Sequence, residues 1–458
     1  MKKYEYDVVV IGGGQAGIPL AHALAGAKKK VALVERTNLG GSCVNFGCTP
    51  TKAVIASARV AHLARRAKEF GLKIPSVEVD FPAVLKRAQN IALESRTGLE
   101  NGLKPIGNPQ LVRGQARIVG RSANGWFQIE VGEEVLTAQE VVLNTGTRSA
   151  VPKIEGIEKI KYIDAGNWLR HKELPEHLVI IGGSYIGLEM AQFYRRMGSR
   201  VTVIDRNAQV TMREDKDVAD ALQKILEGEQ IKFELGAKVT RVAEESGGIV
   251  IEIERKKSKK IECTNLFLAG GRQPNTDDLG LETIGVAMDE SGIVKVDKRL
   301  ATNVKGIWAA GDIRGGFQFT HTAWDDYRII ESQMTGDKKR TTDRIVPYAI
   351  FTDPELGRVG LSEREAHEKN LKYNVVIYEM KKNGKAREIG EPEGFIKILA
   401  DAETDRIIGA AVLANEGAEM VHEYVDLMNA KAKFSVLRDS VHIHPTLAEA
   451  VQSAVKPL

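Results

Sequence analysis

The sequence predicts an α/β protein in which two βαβ units stand in tandem ahead of an α+β segment, and three observations carry that expectation. An apolar run, a glycine-rich turn and a helix-like stretch follow one another over residues 7–25. The same succession returns from residue 178, ending in a second apolar run at 201–205. From about residue 342 the texture changes to short strand-like runs, such as 395–399 and 407–412, joined across a turn-rich stretch at 401–405.

The first unit opens on DVVVI at residues 7–11, a buried-strand pattern, and passes into Gly12-Gly13-Gly14-Gln15-Ala16-Gly17. Strand, turn and helix form the setting that a G-x-G-x-x-G fingerprint requires. Gly12 permits the tight turn, Gly14 lets the backbone approach a pyrophosphate, and Gly17 lets the helix pack on the strand with its N-terminus aimed at the phosphates. A second strand, VALV at residues 31–34, ends on Glu35, placed to accept from a ribose hydroxyl. Each landmark recurs 170 residues later: Gly12 as Gly182, Gly17 as Gly187, Glu35 as Asp205. One fingerprint alone is a weak signal, but two in register argue for two Rossmann-like dinucleotide-binding domains. Ser184 stands where the second glycine would be, and its Cβ narrows the room for a pyrophosphate. The second site is therefore expected to hold its dinucleotide more loosely than the first.

At 458 residues the chain is too long for one ordinary core, and about three domains follow from the usual ~100–200 residues each. With 43% hydrophobic residues, 28% charged and 44 glycines, it reads as a globular enzyme rather than a fibre or a disordered chain. The formal charge of +4 is small, and the lysine runs at 28–30 and 256–260 are short and scattered, which argues against nucleic acid as a partner. No apolar run approaches the ~18 residues of a membrane span. The opening MKKYEYD puts acids where a signal peptide needs an apolar stretch, so a cytoplasmic location is expected.

Three cysteines occur, Cys43, Cys48 and Cys263, which is not the pattern of a secreted disulfide scaffold. Cys263, in the strand-like stretch 261–269, reads as a small buried hydrophobe. The other two sit in GGSCVNFGCTPTK at residues 40–52. On an ideal helix, positions five apart have Cα atoms roughly 8.6 Å apart, whereas a disulfide tolerates up to ~7 Å. A bridge needs a distorted turn, which Gly47 permits, and Pro50 then suits the first turn of a following helix. A helix N-terminus and Lys52 both favour a thiolate. A zinc site needs further ligands, and with one other cysteine and nine scattered histidines no metal site is assigned. Two thiols beside a dinucleotide fold point to a redox relay.

These motifs, in order over essentially the whole chain, resemble the flavoprotein disulfide reductases, the family that contains dihydrolipoamide dehydrogenase, glutathione reductase and mercuric reductase. The resemblance implies that the first fingerprint holds FAD and the second NADH or NADPH. It also implies that Cys48 is the thiolate against the flavin and Cys43 the thiol that exchanges with substrate. Lys52 and Glu189, the latter in YIGLE at 185–189, resemble the ion pair near the reactive flavin nitrogen, and Tyr185 the aromatic gate over the nicotinamide pocket. NTGTR at 144–148, with Thr145 and Gly146, and AGGRQPN at 269–275, with Gly271, look like the family's paired strand-end crossovers. AAGD at 309–312 resembles the second FAD motif, whose aspartate, here Asp312, bonds the ribityl chain. Taken alone, a strand-end aspartate is more often a turn or cap. The implied organisation is an FAD-binding domain in two segments, 1–150 and 273–341, an inserted NAD(P)-binding domain at 151–272, and a dimerisation domain at 342–458.

In that last segment Met420, Val421, Tyr424, Leu427 and Met428 share one helical stripe, expected to be core and to reach a subunit interface. The chain then reads HIHPTLAE at 442–449. Pro445 biases His444 toward an extended backbone, and Glu449 lies beyond the turn where it can orient the imidazole. Alone this is the pattern of a structural histidine; the motif resembles the family's acid/base pair, with His444 the base and Glu449 its partner. Histidine titrates near neutrality, so it can protonate a leaving thiolate or deprotonate a dithiol. In the family this histidine comes from the partner subunit, which implies a homodimer.

The stretches 43–52, FTHTA at 319–323 and FTDP at 351–354 look closest to mercuric-reductase-like proteins. Yet the tail AVKPL at 454–458 carries no cysteine pair to deliver a metal ion, an N-terminal metal-binding domain is missing, and His444 stands where such enzymes resemble a tyrosine-bearing site. A small disulfide or dithiol, somewhat like lipoamide, is therefore expected over Hg(II). A rival reading makes the chain a redox sensor or quinone reductase, with the cysteines as an oxidation switch. Asp205 favours the free 2′-hydroxyl of NADH, because a carboxylate repels a 2′-phosphate, while Arg206 and Arg213 act in the direction of NADPH.

Overall fold

The computed structural model describes residues 2–103, 107–245, 247–255 and 257–454, so Lys256 and the tail at 455–458 lie outside the described residues. Strand β1 (Lys2–Ile11) passes through the glycine-rich turn into α1 (Gly17–Gly26) and returns as β2 (Val31–Glu35). Val8, Val9 and Val10 of β1 and every residue of β2 are buried, as strands covered on both faces require. Two helices, α2 (Gly41–Asn45) and α3 (Cys48–Arg65), precede the long α4 (Phe81–Leu103). Strands β3 (Gln110–Arg113), β4 (Ala116–Arg121), β5 (Phe127–Val131) and β6 (Glu134–Leu143) complete a sheet in the order β3-β2-β1-β6-β5-β4.

A short strand β7 (Thr147–Ser149) leads out of this sheet. The second unit follows as β8 (Ile163–Asp164), β9 (His177–Ile181), α5 (Tyr185–Met197), β10 (Arg200–Asp205), α6 (Lys216–Gly228) and β11 (Lys232–Leu235). An antiparallel meander, β12 (Lys238–Glu245), β13 (Gly248–Glu254) and β14 (Ser258–Cys263), comes before β15 (Asn265–Leu268). The parallel order is β11-β10-β9-β15-β8. The stretch 261–269, read as one strand from its sequence, is two. Thr264 breaks it by exchanging hydrogen bonds with the backbone of His177, so β14 and β15 belong to different sheets. Cys263 at the break is buried, and burial pushes its thiol up to about 12.

The chain returns through β16 (Arg272–Pro274), which pairs antiparallel with β7, and β17 (Ile307–Ala309), which joins the first sheet by pairing with Val141, Val142 and Leu143 of β6. Helix α7 (Thr320–Thr335) closes this part. The remainder is α+β: β18 (Tyr348–Ile350), β19 (Glu355–Gly360), α8 (Glu363–Glu368), β20 (Tyr373–Glu379), α9 (Gly384–Glu388), β21 (Phe395–Asp401), β22 (Ile407–Ala414) and α10 (Gly417–Asn429). Its antiparallel sheet runs β18-β19-β22-β21-β20. Val421 and Tyr424 of α10 are buried, and Met420, Leu427 and Met428 pack against the same core. The molecule is thus two Rossmann-like units with a C-terminal α+β domain. Among the described residues no helix is long and apolar enough to cross a membrane.

Candidate active site

The two glycine turns repeat down to their hydrogen bonds. At Gly12, with φ +110°, a Cβ would come 2.2 Å from the Asn144 carbonyl oxygen, and at Gly17 one would come 2.0 Å from the Gly12 carbonyl oxygen. Gly182, with φ +117°, meets the Ala269 carbonyl oxygen at 2.4 Å in the same way, and Gly187 meets that of Gly182 at 1.9 Å. Only glycine fits such approaches. The strand-end carboxylates close back on these turns. Glu35 accepts from the Gly13 N–H at 2.8 Å and the Thr37 N–H at 2.7 Å; Asp205 accepts from the Gly183 N–H at 2.6 Å and the Asn207 N–H at 2.8 Å. Ser184 caps α5 without a side-chain hydrogen bond and is exposed.

A cavity of about 1120 Å³ runs along the first unit. Gly12, Gly14 and Glu35 line it, joined by Thr145, Gly146 and Asp312 from the ends of β6 and β17. Cys43, Cys48 and Lys52 reach it from α2 and α3, and Tyr185 and Glu189 from α5. Gly17 is buried behind the turn, while Gly182, Gly187, Asp205 and Gly271 lie outside this cavity, on the second sheet and its crossover. At Gly14 a Cβ would stand 3.1 Å from Asn144 Oδ1, so the bare backbone keeps the cradle open. That cradle, the helix N-terminus behind it and the acceptors Glu35 and Asp312 fit an FAD.

The cysteines sit on a broken helix. α2 ends at Asn45, the Gly47 N–H returns to the Ser42 carbonyl oxygen at 2.6 Å, and α3 begins at Cys48. A Cβ at Gly47 would come 2.8 Å from that same oxygen. Asn45 Nδ2 donates to the Leu39 and Gly41 carbonyls, each at 2.9 Å, and Trp168 Nε1 donates to that of Phe46 at 2.8 Å, fixing the turn. Both thiols are free. The hydrogen bond from Cys43, with Lys52 close by, outweighs burial and brings the Cys48 thiol down to about 6. The same hydrogen bond, followed by burial, pushes Cys43 up. Protonated Cys43 beside ionised Cys48 is the state this favours.

Lys52 Nζ lies 2.9 Å from Glu189 Oε2 and 4.3 Å above the Phe351 ring. Glu189 is only 3% exposed, and its other oxygen accepts from the Phe351 N–H at 2.9 Å. Tyr185 packs on Phe319 at 5.9 Å, and Phe319 stacks on Tyr348 and His321 at 5.5 and 5.4 Å. Asp312 accepts from Thr147 Oγ1 at 2.9 Å and lies 3.5 Å from Arg272. Four contributors carried no assigned role in the sequence reading. Thr320 Oγ1 lies 3.2 Å from Cys48 Sγ. Phe351 holds Glu189 through its backbone, and Arg272 holds Asp312. Asn144 accepts from the Gly17 N–H and donates to the Ala310 carbonyl, tying the first turn to β17. All four fell inside stretches singled out for resemblance, which was the available signal.

His444 and Glu449 find each other, Nδ1 to Oε2 at 2.9 Å, but not the cysteines of their own chain. The imidazole is 76% exposed, and Val441 and Ile443 beside it are 95% and 79% exposed. Among the described residues one carboxylate group is close enough to hold a metal, Asp215, Asp217 and Glu363, and Lys397 Nζ already sits among its oxygens.

Comparison with known proteins adds the following. Residues 6–326 match the family model of the pyridine nucleotide-disulphide oxidoreductases, and residues 346–455 match that family's dimerisation domain. The chain is 34% identical over 452 residues to the probable pyridine nucleotide-disulfide oxidoreductase RclA of Escherichia coli K12, covering 98% of each chain. It is 33% identical over 463 residues to the dihydrolipoyl dehydrogenase of Cupriavidus necator, covering 98% of this chain and 97% of that one. The solved structure of the HOCl-induced flavoprotein disulfide reductase RclA from Escherichia coli superposes with a TM-score of 0.89 at 34% identity, over 98% of this chain and all of the other. Its Cu(II) complex matches with the same TM-score at 33% identity, over 99% of this chain and all of the other.

Proposed function

The chain belongs to the pyridine nucleotide-disulphide oxidoreductases, NAD(P)H-dependent flavoenzymes that use FAD, and on that premise we propose that it reduces a small disulfide through Cys43 and Cys48, with NADH the preferred donor. The observation that carries this is the unequal cysteine pair, one thiol driven down and its neighbour driven up. FAD, when bound, supplies electron transfer between the nicotinamide and Cys48. Glu189 holds Lys52 beside that thiolate, and Tyr185 covers the nicotinamide side. Proton removal from Cys43 needs a base, and His444 of the partner subunit takes that role, oriented by the partner's Glu449; the family's dimerisation domain at 346–455 supports a homodimer. The Cys43 thiolate attacks one sulfur of the substrate disulfide, the substrate S–S bond breaks, and the leaving thiolate takes the proton from the partner's His444. Cys48 then attacks the Cys43 sulfur, closing the Cys43–Cys48 disulfide and releasing the second thiolate, so two electrons have passed to the substrate.

The same proposal places the FAD domain at 1–150 and 273–341, the NAD(P) domain at 151–272 and the dimerisation domain at 342–458. Support comes from β17 rejoining the sheet of β6 after the second unit has been completed. NADH is favoured because the Asp205 carboxylate stands at the strand end, accepting from the backbone N–H groups of Gly183 and Asn207, where it would repel a 2′-phosphate. A cytosolic location is part of the same reading, since three cysteines, two of them in the redox pair, make no secreted disulfide scaffold.

A second reading, with a thiophilic metal ion as acceptor, is favoured by the Cu(II) complexes solved for RclA, one of them of a C43S variant. Turnover by flavin-loaded protein with NADH or NADPH against lipoamide, glutathione disulfide, quinones, Cu(II) and Hg(II) separates the readings. Disulfide reduction lost in Cys48→Ser supports the first, metal reduction without disulfide turnover supports the second, and quinone turnover indifferent to Cys48→Ser would defeat both.

A further inference from the structure

Most charged side chains that line the cavity have partners. Lys52 pairs with Glu189, Arg272 bonds Thr147 and Asp312, and Arg36 bonds Gln115. Half-buried Arg96 and exposed Arg170 line it too, as does exposed Glu419 from α10, and among the described residues none of these three side chains makes a hydrogen bond or an ion pair.

Both belong to elements built onto the redox turn. Arg96 stands on α4, and one turn further along the same face Leu99 approaches Gly40 and Val44 beside Cys43: its Cδ1 lies 3.1 Å from where a Gly40 Cβ would be. Two turns back on that face, Gln89 Nε2 donates to the Leu169 carbonyl at 2.9 Å, and Leu169 precedes Arg170. The same short segment anchors the turn itself through Trp168 Nε1 and the Phe46 carbonyl. Gln89, Leu93 and Arg96, spaced i, i+4 and i+7, all line the cavity, with Leu93 offering an apolar step between two polar ones.

We propose that Arg96 and Arg170 form an anion subsite on the Cys43 side of the cavity, and that the disulfide reduced there carries a carboxylate on a short alkyl chain. This rests on the disulfide-reductase reading and names its substrate class. A guanidinium offers a planar fork of donors that matches a carboxylate in two parallel hydrogen bonds. Leu93 suits the alkyl portion.

Oxidised lipoate and lipoamide share one cyclic disulfide and differ in charge, so they isolate the subsite. With flavin-loaded enzyme and NADH, kcat/KM for lipoate should exceed that for lipoamide about tenfold, a ratio that falls as salt is raised. In Arg96→Gln/Arg170→Gln the ratio should collapse toward unity, and Arg96→Lys/Arg170→Lys should restore part of it; flavin content and Tm monitor folding. Equal use of both substrates by the unaltered enzyme overturns the subsite alone. A preference for lipoate that survives the double glutamine variant removes it from these arginines. Turnover of neither substrate, while NADH still reduces the flavin, overturns the subsite together with the disulfide-reductase reading beneath it.

Discussion

Cys48 gathers its chemistry from near and far in the chain. Lys52 lies in the same short stretch, so its pull toward a thiolate was legible in the spacing, whereas the hydrogen bond from Cys43 was not. Thr320 arrives from 272 residues away, and only the packing of α7 brings its hydroxyl to the sulfur. The hydrogen bond from Cys43 is the largest cause of the lowered Cys48 pKa, ahead of the Lys52 charge. Thiolate at Cys48 should therefore persist as pH falls and be lost below about 6. In Cys43→Ser the donor becomes a hydroxyl that cannot form a disulfide, and in Cys43→Ala it is gone. Alkylation of Cys48 by iodoacetamide, followed against pH, should show its inflection near 6 in the unaltered protein and well above that in Cys43→Ala, with serine between them. Cys263, buried and with its thiol raised, should stay silent over the same range. Coincident profiles for all three proteins would mean that Cys43 does not set the Cys48 charge.

Helix α5 shows how an element misleads when its polar face is read as solvated. Glu189, Gln192 and Arg196, spaced i, i+3 and i+7, would mark an exposed stripe on a surface helix, yet all three are 5% exposed or less. Each has a partner on another element. Glu189 takes Lys52 of α3; Gln192 exchanges hydrogen bonds with the backbone of Asp353 at 2.7 and 2.8 Å; Arg196 pairs with the Asp353 carboxylate at 2.6 Å and with Glu229 at 2.7 Å. Arg59 of α3 completes the junction on the other Asp353 oxygen. Such a stripe is invisible in one dimension because its partners are supplied by three separate segments, whereas the glycine turns were legible because each is local and repeated. Burial alone would raise the Asp353 carboxyl, but Arg196 and Arg59 outweigh it and hold it below the usual carboxylate range. A depressed pKa of this kind adds stability that is complete above the ordinary carboxylate pKa and is lost as pH falls through the folded value. Asp353→Asn should cost about 1–3 kcal/mol at neutral pH, since it leaves the buried Arg196 with Glu229 alone and the partly exposed Arg59 short of charge. Its deficit in Tm should shrink as the pH drops below about 4, where the unfolded chain begins to take up a proton that the folded protein still excludes from Asp353. A deficit that does not change with pH would place the loss in packing rather than in the ion pairs.

At the scale of the molecule, the chain places its two halves of chemistry apart. The cavity holds both cysteines, whereas the His444–Glu449 pair lies on a surface where Val441 and Ile443 are also exposed. Exposed aliphatic side chains of this size beside a candidate base fit an interface with a second copy, in which each subunit lends its imidazole to the other's cysteines. Complementation decides whether that is so. Homodimers of Cys48→Ser and of His444→Gln should each have little disulfide turnover. Mixed and allowed to exchange subunits, they form heterodimers with one site missing both groups and one site intact, because the intact cysteines of one chain meet the intact histidine of the other. If exchange is random, about a quarter of the unaltered activity should return, half of the dimers being mixed and half of their sites being competent. If His444 instead served its own cysteines, every chain in the mixture would lack one essential group and nothing would return. A mass tag on one of the two variants lets native mass spectrometry detect the mixed dimer, so silence in the assay counts against the shared site and not against the mixing.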